Sequence, residues 1–311
     1  MLEKIIESSK YVVNNAKHVK INEKKIDDFA NNITEMKLQH WFASSPYNML
    51  DLPLETLVNL VLVFEAIDFS FWGDPRWTIE TEYGELDGSA ALLYVMVKFV
   101  RARNSTDFSN ISKDEFKKML KGNVDIPLFE ERYNIVKNIS KIVNEKMNGN
   151  FYEVVKNINT DIELFDTIIS NFENFRDERT YNGERVYFYK LAQLLTSDIL
   201  NLKKLKENSK VDYFHLVGCA DYKIPQVMRG LGLLEYDEEL SRIVDNQEEI
   251  EQNSEYELEI RASMIVVIDM VKKKLDDDGV CAIKVNDYMW GLSKKIKDSL
   301  KPYHLTRNIN Y

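Results

Sequence analysis

Apolar residues recur at three- and four-residue spacing along most of this chain, which is typical of α-helices that bury one face. One such stripe runs through residues 128–147 and another through residues 260–271. Residues 54–67 and 90–100 are apolar on nearly every face, which predicts two central helices surrounded by others. No period of 20–50 residues repeats, which disfavours solenoids and propellers. The sequence therefore predicts an all-α fold.

Glycine and proline are scarce, with 11 and 6 in 311 residues, about half of their usual frequency. Sheets joined by tight turns need these residues at their corners, so their scarcity also favours helices. The exception is residues 76–83, where alternation after Asp74-Pro75 predicts one short β-hairpin. Because no linker rich in Gly, Ser or Pro interrupts the chain, we expect residues 1–311 to form a single helical domain.

Short signals mark the predicted helix ends. Ser112 and Glu115 form a capping-box pattern, and Gly122 stands where a C′ glycine would end that helix. Asn148-Gly149 stops the stripe that precedes it. The charge-rich residues 237–259 predict a solvated helix and loop.

The formal net charge is −10, so the basic stripe that would bind a polyanion is not evident, and a small substrate suits the chain better than intact nucleic acid. Cys219 and Cys281 form no CxxC pair, and we expect both to be small buried side chains in a reducing compartment. Residues 1–14 lack the apolar core of a signal peptide. The longest apolar run, residues 90–97, is far shorter than the ~20 residues that span a bilayer. We therefore expect a soluble, cytoplasmic protein that does not bind membranes.

The common phosphate, metalloprotease and serine-hydrolase motifs are missing. The chain contains no GxxxxGK[ST], HExxH or GxSxG, and Gly230-Leu-Gly232 lacks the third glycine of a dinucleotide loop. The histidines have no metal-ligand spacing; they are His18, His40, His215 and His304. We therefore expect no metal and no cofactor, which leaves carboxylates, lysine and aromatic rings to carry any chemistry. The sequence has no signal for the oligomeric state.

Three segments combine polar and aromatic residues in ways that packing alone does not require. In residues 67–74 the rings of Phe71 and Trp72 either cap the preceding helix or form a stacking platform for a flat heterocycle. Lys190 falls in an apolar helical run, residues 186–195, where a lysine either extends to solvent or pairs with a carboxylate in a pocket.

The third segment contains Asp221 and Tyr222. Pro225 suits the first turn of a helix, which places both residues in the entering loop, near the N–H groups at the helix N-terminus. An aspartate there is either a helix cap, worth about 1 kcal/mol, or a functional carboxylate.

Five motifs occur in an order that resembles the queuosine salvage protein family, the queuosine 5′-phosphate N-glycosidases. They are Asp68-Phe-Ser-Phe-Trp72, Phe175-Arg-Asp177, Phe188-Tyr-Lys-Leu-Ala-Gln193, Ala220-Asp-Tyr-Lys-Ile-Pro-Gln226 and Glu259-Ile-Arg-Ala262. The motif from Ala220 is the most specific of them. The chain departs from the family at Asp68, where asparagine is usual, and at Leu191, where arginine is usual.

The resemblance implies an all-α fold similar to helix-hairpin-helix DNA glycosylases. It also implies a hydrolase that releases the base queuine from queuosine 5′-monophosphate or from queuosine. Cleavage of an N-glycosidic bond passes through an oxocarbenium-like sugar, and by resemblance we assign its stabilisation, and the positioning of water, to Asp221. Lys190 would either bind the 5′-phosphate or pair with Asp221 and keep it ionised.

The remaining residues implied by the resemblance bind the substrate. Asp177 would pair with the amine or diol of queuine, and Tyr222 would donate a hydrogen bond near the sugar. The full implied set of binding residues is Phe175, Asp177, Tyr222, Asp68, Phe71, Trp72 and Gln226. For Arg261, which lies in an apolar helix, we expect a buried ion pair with a carboxylate.

Two other functions remain open from the sequence. One is a non-catalytic all-α binding or scaffold protein, whose buried aromatic residues would serve only as core. The other is a glycosylase that acts on nucleic acid, which the net charge of −10 disfavours.

Overall fold

The structure is a computed structural model that describes residues 1–33, 40–44, 47–211, 213–275 and 279–311. Within these ranges the chain is predominantly helical. Its α-helices are α1 (Leu2–Asn14), α2 (Glu23–Asn32), α3 (Leu54–Glu65), α4 (Gly88–Arg103), α5 (Lys113–Met119), α6 (Phe129–Lys146), α7 (Phe151–Val155), α8 (Asp161–Asn171), α9 (Lys190–Glu207), α10 (Lys223–Gly230), α11 (Glu238–Asp245), α12 (Glu255–Leu275) and α13 (Ala282–Lys295). In the part of the chain described, each helix is too short or too polar to cross a bilayer.

The strands of the described residues pair as three antiparallel two-stranded ribbons. They are β1 (Val19–Ile21) with β6 (Leu234–Tyr236), β2 (Thr78–Thr81) with β3 (Gly84–Asp87), and β4 (Glu178–Tyr181) with β5 (Glu184–Tyr187). The predicted hairpin is therefore confirmed as β2–β3, and the prediction of only one hairpin is wrong.

The chain divides into two compact units, and each is discontinuous in sequence. The first comprises the described residues of Met1–Leu38, Arg176–Gln193 and Tyr213–Tyr311, and the second those of Gln39–Phe175 and Leu194–Asp212. The expectation of a single domain over residues 1–311 stays a prediction.

Helix α12 forms the centre of the first unit. It contacts α1, α2, α10, α13 and β1, and it is buried on nearly every face from Glu257 to Ile268. Glu257 and Glu259 are both fully buried, so the expectation of a solvated segment is wrong at its C-terminal end. The Glu259 carboxylate accepts hydrogen bonds from the backbone N–H groups of residues 17–19. A buried carboxylate needs such partners to offset its desolvation.

Helices α3 and α4 form the core of the second unit, as their apolar sequences predict. Helix α3 contacts α4, α6 and α7, and α4 also contacts α5 and the β2–β3 hairpin. The helix ends largely follow the predicted signals. Ser112 and Glu115 form the capping box of α5, and Asn148 and Gly149 take positive φ after α6.

Gly122 has a different role from the predicted helix stop. Helix α5 ends at Met119. A Cβ added to Gly122 would collide with the backbone oxygen of Thr78 and the indole nitrogen of Trp77. Glycine is therefore required here because the β2 backbone approaches closely. The predicted role of Gly122, as the C′ residue that ends α5, is wrong.

Candidate functional site

Asp221 lies in the loop that enters α10, as predicted. We call residues 216–222 the Asp221 loop. Its Oδ1 accepts hydrogen bonds from the N–H groups of Lys223, at 3.0 Å, and Ile224, at 2.9 Å. The carboxylate therefore accepts from the first two N–H groups of the helix, and both bonds are to the same oxygen.

Two buried amide side chains hold the backbone of this loop. Oε1 of Gln193 accepts a hydrogen bond from Val217 N–H at 2.8 Å, and its Nε2 donates to the Gly218 carbonyl at 2.8 Å. Oδ1 of Asn286 accepts from Cys219 N–H at 2.9 Å. Because buried amides with several partners have little freedom to move, the loop presents Asp221 in a defined place. Gln193 stood in the sequence motif, but its role as a loop anchor was not predicted.

The charge of Asp221 is set by opposing effects. Burial raises the pKa of its carboxyl above the usual value, while the Lys190 ammonium and the Ile224 N–H act to lower it. Lys190 is itself buried, with 6% of its surface exposed. The Lys190 side chain is therefore not extended into solvent, and its pairing with Asp221 stays a prediction.

Lys190 is the first residue of α9. The predicted helical run from residue 186 is therefore wrong at its start, because Val186 and Tyr187 belong to β5. Tyr189, between the strand and the helix, has a φ of 52°. The lysine thus sits at a strand-to-helix junction.

Arg261 connects Asp177 to the Asp221 loop. Its Nη2 lies 2.5 Å from Asp177 Oδ2, its Nε donates to the Ala220 carbonyl at 3.3 Å, and its Nη1 lies 3.7 Å from Glu257. Arg179 adds a second ion pair, 3.0 Å from Asp177 Oδ1. The prediction of a buried ion pair for Arg261 is confirmed, and its partner is Asp177.

The guanidinium of Arg261 also lies close to two aromatic rings. Its Cζ is 4.0 Å from the centroid of Phe188 and 4.2 Å from that of Tyr311. Burial disfavours the charge, but attraction to Asp177 and Glu257 is stronger and raises the pKa of Arg261. The arginine is therefore a permanent cation at the centre of this cluster.

Tyr222 and Gln226 contact the C-terminal segment of the first unit. The rings of Tyr222 and Tyr303 have centroids 4.9 Å apart, and Lys223 Nζ lies 4.4 Å from the Tyr303 centroid. Nε2 of Gln226 donates to the Lys301 carbonyl at 2.7 Å. The tyrosines of this segment, Tyr303 and Tyr311, were not predicted, and no motif or periodicity marks them.

In the second unit, Asp68, Phe71 and Trp72 are buried with 6%, 7% and 4% of their surfaces exposed. Phe71 stacks on Trp77, with centroids 6.3 Å apart and an interplanar angle of 18°. This arrangement agrees with a hydrophobic cap after α3, and the stacking platform stays a prediction.

Arg132 was missed by the sequence analysis. It lies on α6, is fully buried, and its Nη1 and Nη2 donate to the carbonyls of Ile67 and Phe69. A signal was available: Arg132 lies four residues from Leu128 and four from Val136, so it shares the apolar face of its helix. An arginine in such a stripe is buried and needs partners.

Phe175 ends a short 3-10 helix, Glu173–Phe175, and has 1% of its surface exposed. Its ring is 6.2 Å from that of Phe172, which in turn lies 5.5 Å from Phe151. Phe175 therefore belongs to the aromatic core of the second unit.

The nine predicted residues fall into two groups. Those of the first unit are Asp177, Lys190, Asp221, Tyr222 and Gln226, and those of the second are Asp68, Phe71, Trp72 and Phe175. The second unit also contains a cleft of about 280 Å³, which is lined in part by Asn59, Arg101 and Asn144 and includes none of the nine. Among the residues described, no three or more His, Cys, Asp or Glu side chains are grouped as metal ligands would be.

Comparisons with known proteins agree with the sequence motifs. The profile described as queuosine salvage protein matches residues 47–311. A Sphaerobacter thermophilus protein named queuosine 5′-phosphate N-glycosylase/hydrolase is 33% identical over 265 residues, which is 83% of this chain and 82% of that protein. Proteins of the same name from Dictyostelium discoideum and Bos taurus are 28% and 25% identical, each over 98% of both chains.

Proposed function

Because this chain belongs to the queuosine salvage protein family, we propose that it hydrolyses the N-glycosidic bond of queuosine 5′-monophosphate and releases queuine. The observation that carries the proposal is the environment of Asp221. A carboxylate is fixed at a helix N-terminus, burial raises its pKa, and a buried lysine opposes that rise. Such opposing effects are typical of catalytic carboxylates.

The reaction breaks the bond between C1′ and the base nitrogen, whose electron pair leaves with the base. The sugar becomes an oxocarbenium-like cation, water then adds to C1′, and the proton that the water loses ends on the nitrogen of the departing base. Asp221 in its ionised form stabilises the cation and orients or deprotonates that water. Lys190 supports this role, because its positive charge favours the ionised carboxylate.

Queuine is a 7-deazapurine, so it lacks the N7 lone pair through which ordinary purines can be protonated. Stabilisation of the sugar cation therefore contributes more of the rate enhancement. We assign base binding to Phe71, Trp72 and Phe175, with Asp68 as a polar contact, and a hydrogen bond near the sugar to Tyr222. The buried, ordered rings at positions 71 and 72 support a stacking role.

Asp177 has two roles in this proposal. Its predicted contact with the amine or diol of queuine is retained, and its ion pair with Arg261 adds a positioning role. Arg261 joins Asp177 to the Ala220 carbonyl, one residue before Asp221. Gln226 is retained as a binding residue beside the C-terminal segment.

A fold similar to helix-hairpin-helix DNA glycosylases is part of the same proposal. The predominantly helical architecture and the aspartate in the loop entering α10 support it. Superposition of an experimental structure of this protein on such glycosylases tests this part.

The test of function is Asp221→Asn. Asparagine caps helices as well as aspartate does, so the variant keeps the fold but lacks the negative charge. We expect queuine release from queuosine 5′-monophosphate, measured by mass spectrometry, to fall about 10³-fold or more. The matched control is Asp237→Asn, because the Asp237 carboxylate also accepts a hydrogen bond from a backbone N–H in the first turn of a helix, α11, and its turnover should remain at the wild-type rate. Wild-type turnover by Asp221→Asn would remove Asp221 from the mechanism.

A further inference from the structure

We propose that Arg132 is a positioning residue for base recognition: its guanidinium fixes the backbone of residues 67–71 and thereby presents Phe71 and Trp72 to the base. The inference rests on the proposed function, because it assumes that these two rings bind the base.

The first observation is where Arg132 directs its donors. The side chain is fully buried on α6, and its guanidinium donates to the carbonyls of Ile67 and Phe69 and, at 3.3 Å, to that of Ser70. Its Nε donates to the Pro127 carbonyl at 2.9 Å. Three of these four bonds go to a single short segment that has no regular secondary structure. The planar fork of arginine suits several acceptors at once, which a lysine ammonium cannot reproduce.

The second observation is that the guanidinium also contacts the side chains of this segment. Its Cζ lies 4.3 Å from the ring centroid of Phe69 and 4.7 Å from that of Phe71. Phe71 stacks in turn on Trp77. Arg132 therefore restrains both the backbone and one of the proposed base-binding rings, Phe71.

The third observation is the conformation of Ser70, whose φ is 37°. A side chain with a Cβ is strained at positive φ, and such a residue persists only where its surroundings hold it. The carbonyls of Phe69 and of Ser70 itself stand before and after the Ser70 Cα in the chain, and both accept from Arg132 Nη2. The arginine thus holds the strained residue from both sides, immediately before Phe71.

The consequence is specific to the base. If Arg132 is lost, Ser70 can relax and Phe71 and Trp72 can turn, so contacts to the heterocycle weaken. In the proposed assignment the sugar is contacted by Asp221 and Tyr222, which do not belong to this segment. Arg132 therefore acts on the affinity for the base and not on the affinity for ribose 5-phosphate.

The experiment is Arg132→Lys in the full chain, with binding of queuine and of ribose 5-phosphate measured separately by calorimetry. We expect the Kd for queuine and the KM for queuosine 5′-monophosphate to rise about tenfold. The Kd for ribose 5-phosphate and kcat should stay within about twofold. An unchanged Kd for queuine, or an equal rise in both dissociation constants, overturns the inference.

Lys203→Met is the matched control. Lys203 is also buried in the second unit, and its Nζ donates to the carbonyls of Val155, Lys156 and Ile158, so it too holds backbone through a buried cation. This variant should lower the urea midpoint of unfolding and leave both dissociation constants unchanged. A rise in the Kd for queuine in Lys203→Met would show that general loosening of the unit explains the effect, and would overturn the inference.

Two further variants act on Ser70 itself. Ser70→Thr keeps the hydroxyl but adds a β-branch, which disfavours positive φ. It should raise the Kd for queuine about threefold although Arg132 is intact. Glycine accepts positive φ without strain, so Ser70→Gly should restore part of the affinity lost in Arg132→Lys. If Ser70→Thr leaves the affinity for queuine unchanged, the inference fails even where Arg132→Lys does not fold.

Failure of the proposed function would be seen in the wild-type protein and is distinct from failure of the positioning role of Arg132. A wild-type protein that binds queuine but releases none from the nucleotide lacks the activity, while the Arg132 variants still test positioning. A wild-type protein that neither binds queuine nor cleaves the nucleotide overturns both.

Discussion

At the scale of single residues, Asp221 both binds the N-terminus of α10 and has a carboxyl group whose pKa is shifted by its surroundings. Its Oδ1 accepts the hydrogen bonds that begin α10, and burial raises the pKa of the group. The Lys190 ammonium is the strongest of the influences that lower this pKa again, followed by the Ile224 N–H and the Lys223 charge. Activity that depends on the ionised carboxylate should therefore fall as the pH drops through the raised pKa.

Lys190→Met tests this balance. Methionine keeps the length and apolar stem of lysine but removes the charge that lowers the pKa of Asp221. The acidic limb of the pH profile of kcat/KM should therefore move to higher pH, with queuosine 5′-monophosphate and with queuosine alike. We measure both profiles by queuine release.

Lys223→Met is the control, because the Lys223 charge lowers the pKa of Asp221 less than the Lys190 charge does. Its acidic limb should move in the same direction by a smaller amount. If Lys190→Met leaves the limb in place and lowers kcat/KM about 10–100-fold more for the nucleotide than for the nucleoside, Lys190 binds the 5′-phosphate instead.

The buried arginines show why only part of the candidate site could be predicted. Asp221 and Lys190 stand in short motifs, and the loop position of Asp221 follows from Pro225 a few residues later. Arg132 and Arg261 lie inside apolar helical stripes, which predict burial but not the partner. Their partners, Phe69 and Asp177, lie 63 and 84 residues away.

At the scale of elements, the β4–β5 hairpin determines where α9 begins. Asn182 and Gly183 take φ of 50° and 85°, the geometry that an Asn-Gly turn favours between paired strands. The Asp177 carbonyl accepts from Phe188 N–H at 3.0 Å, directly beyond the paired strands. The chain therefore stays extended to this point, and Lys190 becomes the first helical residue. The Asn182-Gly183 pair is a sequence signal for this hairpin, and the hairpin was not predicted.

Gly183→Ala tests the turn. A Cβ at this position meets no atom within 4 Å, so the cost is the backbone strain of alanine at positive φ, about 1–2 kcal/mol. We expect the free energy of unfolding, measured by urea titration, to fall by that amount.

Gly291→Ala is the matched control in the same unit. Gly291 lies within α13, and a Cβ there also meets no atom within 4 Å. Alanine is about 1 kcal/mol better than glycine in a helix, so this variant should be more stable than the wild type. Equal effects of the two substitutions would contradict the assigned turn geometry.

At the scale of the whole molecule, the first unit gathers residues from distant parts of the chain around Arg261. The Arg261 guanidinium lies close to the rings of both Phe188 and Tyr311. Tyr311 also contacts His304, whose Nε2 lies 3.4 Å from the tyrosine hydroxyl. Burial and the Arg261 charge lower the pKa of His304 from 6.5 to about 3. His304 is therefore neutral in the folded protein at neutral pH.

His304 makes stability depend on pH. In the unfolded chain this histidine takes up a proton below its usual pKa of 6.5, whereas in the folded chain it does so only near 3. The contribution of His304 to the free energy of unfolding is therefore fully present above pH 6.5. Below that pH the free energy of unfolding falls by about 1.4 kcal/mol per pH unit.

His304→Gln removes the titrating group. Between about pH 7.5 and about pH 5, the wild type should lose about 2 kcal/mol more free energy of unfolding than this variant. Urea titrations at the two pH values measure the difference. Parallel losses in the two proteins would show that His304 does not control the acid response.

Local sequence patterns were sufficient to predict a helical fold, the buried helices α3 and α4, and the place of Asp221 before α10. These features depend on apolar spacing and on capping residues, which act between neighbours only a few positions apart. Tertiary structure alone decided that Arg261 joins Asp177 to the Asp221 loop, that Arg132 holds the segment before Phe71, and that burial raises the pKa of Asp221. Burial and ion pairing depend on residues far apart in the chain, because only folding removes water from a charge and brings its partner to it.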